Sequence, residues 1–441
     1  MTAITHLPVP GWGWAGRGLR SLTVGAVCGL MLAGAAVAAG DPISQVLQNN
    51  SAEWSDGFDP ASAGADIRTS TPILSPQIVG AVEQAIAQYS QIVAQGGWPV
   101  VPSDRKLKLG IRSPAVSVLR QRLAISGDMA RSNGYSDIFD TYVDQGVRRF
   151  QKRHGIFGDG IVGDSTLAAL NIPAVVRLNQ LSNNMTRLKG LTAKLPNRFV
   201  MVNIPGAQVE AVENGSVVSR HTAVVGKVDR PSPTVNSRIT DINFNPFWTV
   251  PVSIIKRDLI PLMQKNPNYL TEYNIRIYDP KGNELQPEQV NWMTDEATKY
   301  MFRQDPGDEN SLGTVKINFP SPDGVYMHDT PHKGLFNSEF RFDSSGCVRI
   351  QNIRELINWL LRDTPQWSRE QIDAMFRTGQ RMDAKLAAPV PLFWIYVTAW
   401  ATEEGVVHFR NDIYGYDGLD QFAEQTAATT PVAAPALAPA N

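Results

Sequence analysis

Cys347 is the only cysteine beyond the first thirty residues of this 441-residue chain, and it stands in the polar run Ser344-Ser345-Gly346-Cys347-Val348-Arg349. A thiol with its ordinary pKa of ~8.5 is only a few per cent thiolate at neutral pH, so it needs a base or a cationic neighbour to attack a carbonyl well. His328, at the end of the short apolar stretch 325–327, is the candidate base. Small residues at Ser345 and Gly346 let the backbone approach a substrate closely, and their N–H groups, with that of Cys347, are candidates to meet a developing oxyanion. Arg349 follows the cysteine by two residues and so faces the same side of an extended chain, where a guanidinium can hold a carboxylate bidentately. An ordinary ion-paired surface arginine would have the same spacing.

Two rival chemistries are weaker. His328, Asp329 and His332 fall within five residues, but Pro331 disrupts the helical turn that would bring both histidines to one face, and no third histidine is near. No metal or organic cofactor is expected. Ser253-Ile254-Ile255-Lys256 spells the S-x-x-K of serine acyl-enzymes, yet the chain contains no K-[ST]-G to accompany it.

Composition narrows the class. With 43% hydrophobic and 19% charged residues the chain is globular, and at this length two or three domains are expected. Lys and Arg total 41 against 42 Asp and Glu, so no net field attracts nucleic acid or an anionic bilayer. Arg17 and Arg20 precede the apolar run 22–39, which ends in Ala36-Val37-Ala38. It reads as a cleaved export signal, with an uncleaved single-pass anchor as the alternative, and the expected location is the periplasm. Membrane contact is then confined to that segment. Cys28 lies inside it, which leaves Cys347 unpaired in an exported chain where cysteines are mostly paired. Its polar neighbours favour a working thiol over a buried small hydrophobe.

The elements that must position these residues follow from periodicity. Ser75-Pro76 opens a helix with Val79, Val82, Ile86, Tyr89 and Val93 on one face, closed by Gly96-Gly97. Residues 107–173 carry three helical patterns, the second ending at His154-Gly155, where helix-terminal chemistry accounts for the histidine. GDGIVG at 158–163 matches a dinucleotide fingerprint in letters only, since it follows a helix and not a strand. From Arg198 the period becomes alternating: a strand at 198–204, then a hairpin over 208–226 around Asn214-Gly215. Helical pieces interrupt the β pattern from Pro251, strands resume near 314–317 and 325–327, a helix covers 352–361, and residues 391–409 are β-rich. His221 and His408 lie in strands and read as structural. The tail from 425 lacks charge and aromatics and is expected to be disordered.

At these residues the chain resembles the L,D-transpeptidases with a YkuD-type catalytic domain, whose signature is a histidine, a spacer, then Ser/Thr-His-Gly-Cys and a downstream Arg or Asn. Ser345 replaces the second histidine, as in the large periplasmic branch. The stretches 245–261 and 302–320 resemble the two ends of that branch's inserted lid, and 107–173 resembles the three-helix peptidoglycan-binding module. The resemblance implies an α+β multidomain fold: signal or anchor 1–40, leader and helical scaffold 41–104, binding module 105–173, connector 174–196, catalytic domain 197–385 with a lid at about 251–318, closing segment 386–418 and a tail from 419. It implies that Cys347 forms a thioester with a tetrapeptide stem, releasing D-alanine, and that a second stem's amine resolves it into a 3→3 cross-link. It also implies that Asp329's backbone orients His328, that Tyr326 borders the oxyanion, that Trp248 lines the cleft, and that carbapenems inhibit. A peptidoglycan-binding protein without catalysis is the alternative reading.

Overall fold

The computed structural model describes residues 70–102, 105–131 and 134–418. The expected signal or anchor, the leader to residue 69 and the tail from 419 lie outside the described residues. Within the described residues no helix is long and apolar enough to cross a membrane.

Helix α1 (Pro76–Ala94) starts after an extended Ser75 with proline at its first position, and Gly96, at φ +92°, ends it. Three helices then close on one small core: α2 (Pro114–Ile125), α3 (Thr141–Arg153) and α4 (Asp164–Leu170) bury Leu119, Leu123, Val143, Val147, Phe150 and Leu170. His154 caps α3, stacks on Phe150 and bonds the Phe150 carbonyl through Nδ1 at 2.7 Å, which is the structural role expected of it. Helix α5 (Ala174–Thr192) returns alongside α1, sharing a core with Tyr89, Leu181, Leu188 and Phe409.

The β region follows as β1 (Arg198–Asn203), β2 (Gln208–Glu213), β3 (Ser216–Gly226), β4 (Val235–Phe244), β5 (Trp248–Thr249), β6 (Ile275–Tyr278), β7 (Glu284–Leu285), β8 (Met301–Gln304), β9 (Val315–Asn318), β10 (Met327–His328), β11 (Phe342–Ser344), β12 (Val348–Ile350), β13 (Met382–Ile395), β14 (Ala399–Ala401) and β15 (Val407–Phe409). Among the described residues, nine of these form a sheet in the order β11-β3-β12-β10-β9-β4-β13-β1-β2. Because β2 also pairs with β3, the sheet closes into a ring. Asn214 and Gly215, both at positive φ, make the hairpin turn that the sequence announces. The ring interior is filled by Val200, Val202, Ile242, Ile317, Met327 and Val348, with helix α6 (Ile353–Leu361) contributing Leu356, Ile357 and Leu360. Burying one such side chain is worth about 1.5–3 kcal/mol, so the strand faces are strongly specified.

Two boundaries differ from expectation. The insert has its own four-stranded sheet, β5-β8-β6-β7, and its own core around Ile255, Leu259, Ile277 and Phe302. It therefore begins at β5, before residue 251, and ends before β9, which pairs with β4 and β10 in the ring and is not part of the lid. The end of the catalytic domain placed at 385 cuts β13, one continuous strand between β4 and β1. Its register shifts between Lys385 and Val390, and that irregularity beside Pro389 imitates a break in the sequence pattern.

Candidate active site

The site is built by register. β10 pairs with β12 in parallel, Met327 opposite Val348 and His328 opposite Arg349, while β9 pairs antiparallel with Lys316 opposite His328. Met327, Val348 and Ile317 are fully buried in the ring core. Alternation then sends their neighbours Tyr326, His328, Cys347, Arg349 and Lys316 to the opposite face. Cys347 lies level with Tyr326, whose carbonyl accepts the Val348 N–H at 3.1 Å, and is diagonal to His328. Residues far apart along the chain thus share one face because two parallel strands need a long connection between them.

His328 is buried, and its Nδ1 lies 2.5 Å from the Asp329 carbonyl. Only a ring N–H can bond a carbonyl, so Nδ1 carries the proton and Nε2 is left as the acceptor. This is the orienting contact expected at Asp329. Burial, reinforced by the Arg349 guanidinium, pushes the His328 pKa down to about 3. The Asp329 carboxylate takes the Thr314 N–H at 3.2 Å and hydroxyl at 2.9 Å and pairs with Lys333. Gly313, at φ +57°, presses against it: a Cβ there would stand 2.6 Å from Asp329 Oδ2.

Cys347 is half-buried and unpaired. Burial pushes its thiol up, opposed by the main chain and hydroxyl of Tyr326 and by the charges of Lys316 and Arg349. The resting pair is therefore a neutral imidazole and a neutral thiol. Trp248 Nε1 donates to the Tyr326 hydroxyl at 3.1 Å, so Trp248 acts on the thiol through Tyr326; it is not among the residues that line the neighbouring cleft. Burial and the neighbouring thiol push the Tyr326 phenol up, which keeps its proton available to donate.

Gly346 corrects an expectation. Its N–H is donated to Ser344 Oγ at 3.2 Å and not toward a substrate, while its φ of +108° supplies the turn that presents Cys347. Ser232 Oγ donates to the Gly346 carbonyl at 2.8 Å, which fixes the loop. Ser345 is exposed, and its Oγ accepts from Arg230 Nη1 at 3.0 Å. Arg349 is half-buried, with an Nε that has no partner and no ion pair among the described residues. Burial lowers its pKa somewhat against the pull of Asp343 and Cys347. An unpaired guanidinium on this face is a ready receptor for a carboxylate.

Three contributors escaped the sequence reading. Lys316 lies over the Tyr326 ring, 4.4 Å from its centroid. Arg230 grips Asp258 of the insert through both terminal guanidinium nitrogens, Nη1 and Nη2, at 2.5 and 2.9 Å, while bonding Ser345. Beside Arg230 and Ser345 lies a cleft of about 380 Å³, lined among others by Pro233, Ser253, Arg257, Val325 and Gly346. An isolated lysine or arginine in a polar stretch carries no spacing signal; only the alternation Val315, Ile317 hinted that Lys316 shares the face of His328. The S-x-x-K lysine, Lys256, is paired with Asp295.

Residues 197–367 match the family described as "L,D-transpeptidase catalytic domain", and residues 112–170 match "Putative peptidoglycan binding domain". A protein of Haemophilus influenzae named "Putative L,D-transpeptidase" is 36% identical over 226 residues, which are 51% of this chain and 46% of that protein. The chain thus matches about half the length of that curated relative. A Mycobacterium tuberculosis protein, "N-acetylmuramoyl-L-alanine amidase CwlM", is 36% identical over 83 residues, covering 16% of this chain and 20% of its own. A solved L,D-transpeptidase structure from Stackebrandtia nassauensis aligns at 13% identity and a TM-score of 0.25, over 67% of this chain and 96% of that one.

Proposed function

We propose, for a chain whose residues 197–367 match the L,D-transpeptidase catalytic-domain family, a cysteine acyl transfer that builds 3→3 cross-links in peptidoglycan. The observation that carries the reading is the shared face of Tyr326, His328, Cys347 and Arg349, with an acceptor nitrogen on the histidine and an unpaired guanidinium beside it.

In this reading Arg349 holds a carboxylate of the donor tetrapeptide stem. His328 Nε2 takes the proton of Cys347 as Sγ attacks the carbonyl between the L-centre of diaminopimelate and D-alanine. The Cys347 N–H, which has no acceptor among the described residues, meets the oxyanion; one such preorganised donor is worth roughly 3 kcal/mol of barrier. His328 then passes its proton to the departing D-alanine amine, leaving a thioester on Cys347. The side-chain amine of a second stem attacks that thioester, its proton goes to His328, and the thiol is restored. The insert, gripped to the nucleophile loop by Arg230, shields the thioester from water. The 112–170 module supplies a hold on the wall, and the N-terminal segment exports the chain to the periplasm.

Incubating the protein with tetrapeptide stems should release D-alanine and yield a 3→3 dimer, and a carbapenem should add its mass to the wild type. Cys347→Ala should lose both reactions while still binding sacculi. A wild type that binds sacculi but neither acylates nor cross-links would refute the reading.

A further inference from the structure

Among the described residues, neither of the two cations beside the thiol, Lys316 and Arg349, is in an ion pair. Lys316 and Arg349 flank His328 in one row across three strands, because His328 pairs with both. Lys316 is half-buried between β4 and β10, and its Nζ lies over the Tyr326 ring, whose hydroxyl reaches the thiol. The charged and titratable groups near it are His328 on β10 and Tyr326 just before it, Asp241 on β4, and Cys347 and Arg349 at β12, with Asp343 nearer Arg349. Asp241 makes no ion pair with Lys316 among the described residues; its Oδ1 is bonded to the Asn318 amide at 2.7 Å and its Oδ2 to Thr240 at 2.7 Å. An ammonium partly withdrawn from water with no carboxylate in contact is costly unless an anion forms beside it. The anion this site must form is the thiolate.

We propose that Lys316 is a positioning residue of the site, a fixed positive charge against which Cys347 ionises, acting across the Tyr326 ring. The proposal rests on the reading of Cys347 as the nucleophile. When the S–H bond breaks, the proton goes to His328 Nε2 and the electron pair stays on Sγ. Lys316 keeps its proton throughout and lowers the free energy of the charged sulfur. Arg349 is thereby left for the substrate carboxylate. The assignment also accounts for the aromatic between them: Tyr326 presents its ring face to the ammonium and its hydroxyl to the sulfur, so one side chain couples the two.

The test is the pH dependence of alkylation by iodoacetamide, a neutral probe whose approach the cations do not bias. Full-length protein is used, and the Cys347 peptide is followed by mass spectrometry because Cys28 also alkylates. Lys316→Met should move the midpoint of Cys347 alkylation up by about one pH unit, slowing the reaction about tenfold at neutral pH. Lys316→Arg should restore it. Lys316→Gln serves if the methionine variant fails to fold, with the melting midpoint as the check. An unmoved midpoint in the folded neutral variant overturns the proposal, and so does an equal shift in the arginine variant, which would mean lost packing and not lost charge. No stem peptide enters the assay, so a wild type that alkylates normally but forms no cross-link would sink the proposed function alone.

Discussion

His328 and Cys347 both rest uncharged, and this sets how the site responds to pH. With the imidazole pKa down at about 3 and the thiol raised by burial, neither group titrates near neutrality. Acylation by a carbapenem should therefore show a plateau through pH 5–8 without the inflection near 6.5 that an ordinary histidine gives; stopped-flow rates across that range check it. His328→Ala should cost about 10²–10⁴-fold in the same assay, the span of a lost general base. Gly313→Ala is a subtler probe. Its Cβ would drive into the Asp329 carboxylate, and the residue would also sit at φ +57°, a strain of about 1–2 kcal/mol. Rate should fall while the fold persists, read as kcat against melting temperature. At this scale the sequence was informative wherever chemistry is encoded locally: a lone cysteine in a polar run, a histidine closing an apolar strand, an arginine two residues on. The Gly346 N–H was misjudged because a serine hydroxyl two residues earlier competes for it, and local competition of that kind has no spacing signature.

The strands in and beside the site are the shortest of the nine-stranded sheet: two residues in β10, three in β11 and three in β12. A period of two cannot be read from such segments, and the parallel pairing that aligns Tyr326 with Cys347 is set by tertiary contacts that leave no local pattern. Longer elements were legible, including α1, the β2–β3 hairpin and α6, since each has several turns or a positive-φ turn pair to announce it. In the insert, Ile255–Leu259 is a π-helical turn, and Asp258 sits in it facing Arg230. Such single π-turns recur at functional sites. Asp258→Ala removes the grip of the insert on the nucleophile loop. The ratio of cross-linking to thioester hydrolysis should then drop about threefold, measured by product analysis with both stems present; an unchanged ratio would deny the insert its shielding role.

Across the molecule, the helical module is tied to the β region by buried charge. Arg153 pairs with Asp128 at 2.5 Å with both side chains buried, and its Nη1 also donates to the Val407 carbonyl at 3.1 Å. Arg410 returns a bond to the Arg153 carbonyl at 3.0 Å. Asp128→Asn leaves the guanidinium buried and uncompensated, a loss of about 3–5 kcal/mol by denaturant unfolding. Acid should act on the whole fold in a related way. His154, His221 and His328 are all held below their ordinary pKa, chiefly by burial. The unfolded chain takes up protons from about pH 6.5 downward while the folded one does not, so stability is full above that value and declines as pH falls toward 3. Melting temperatures across pH 7.5 to 4 should trace that fall. The position of β13 has a consequence for how the protein is made. It is among the last strands synthesised, yet it lies between β4 and β1, so every shorter nascent chain holds an open cleft with two unsatisfied ladders where the wall should be. Synthesis that stops short of residue 395 leaves that gap unfilled, so the enclosure behind the thiol is completed only once β13 has been made.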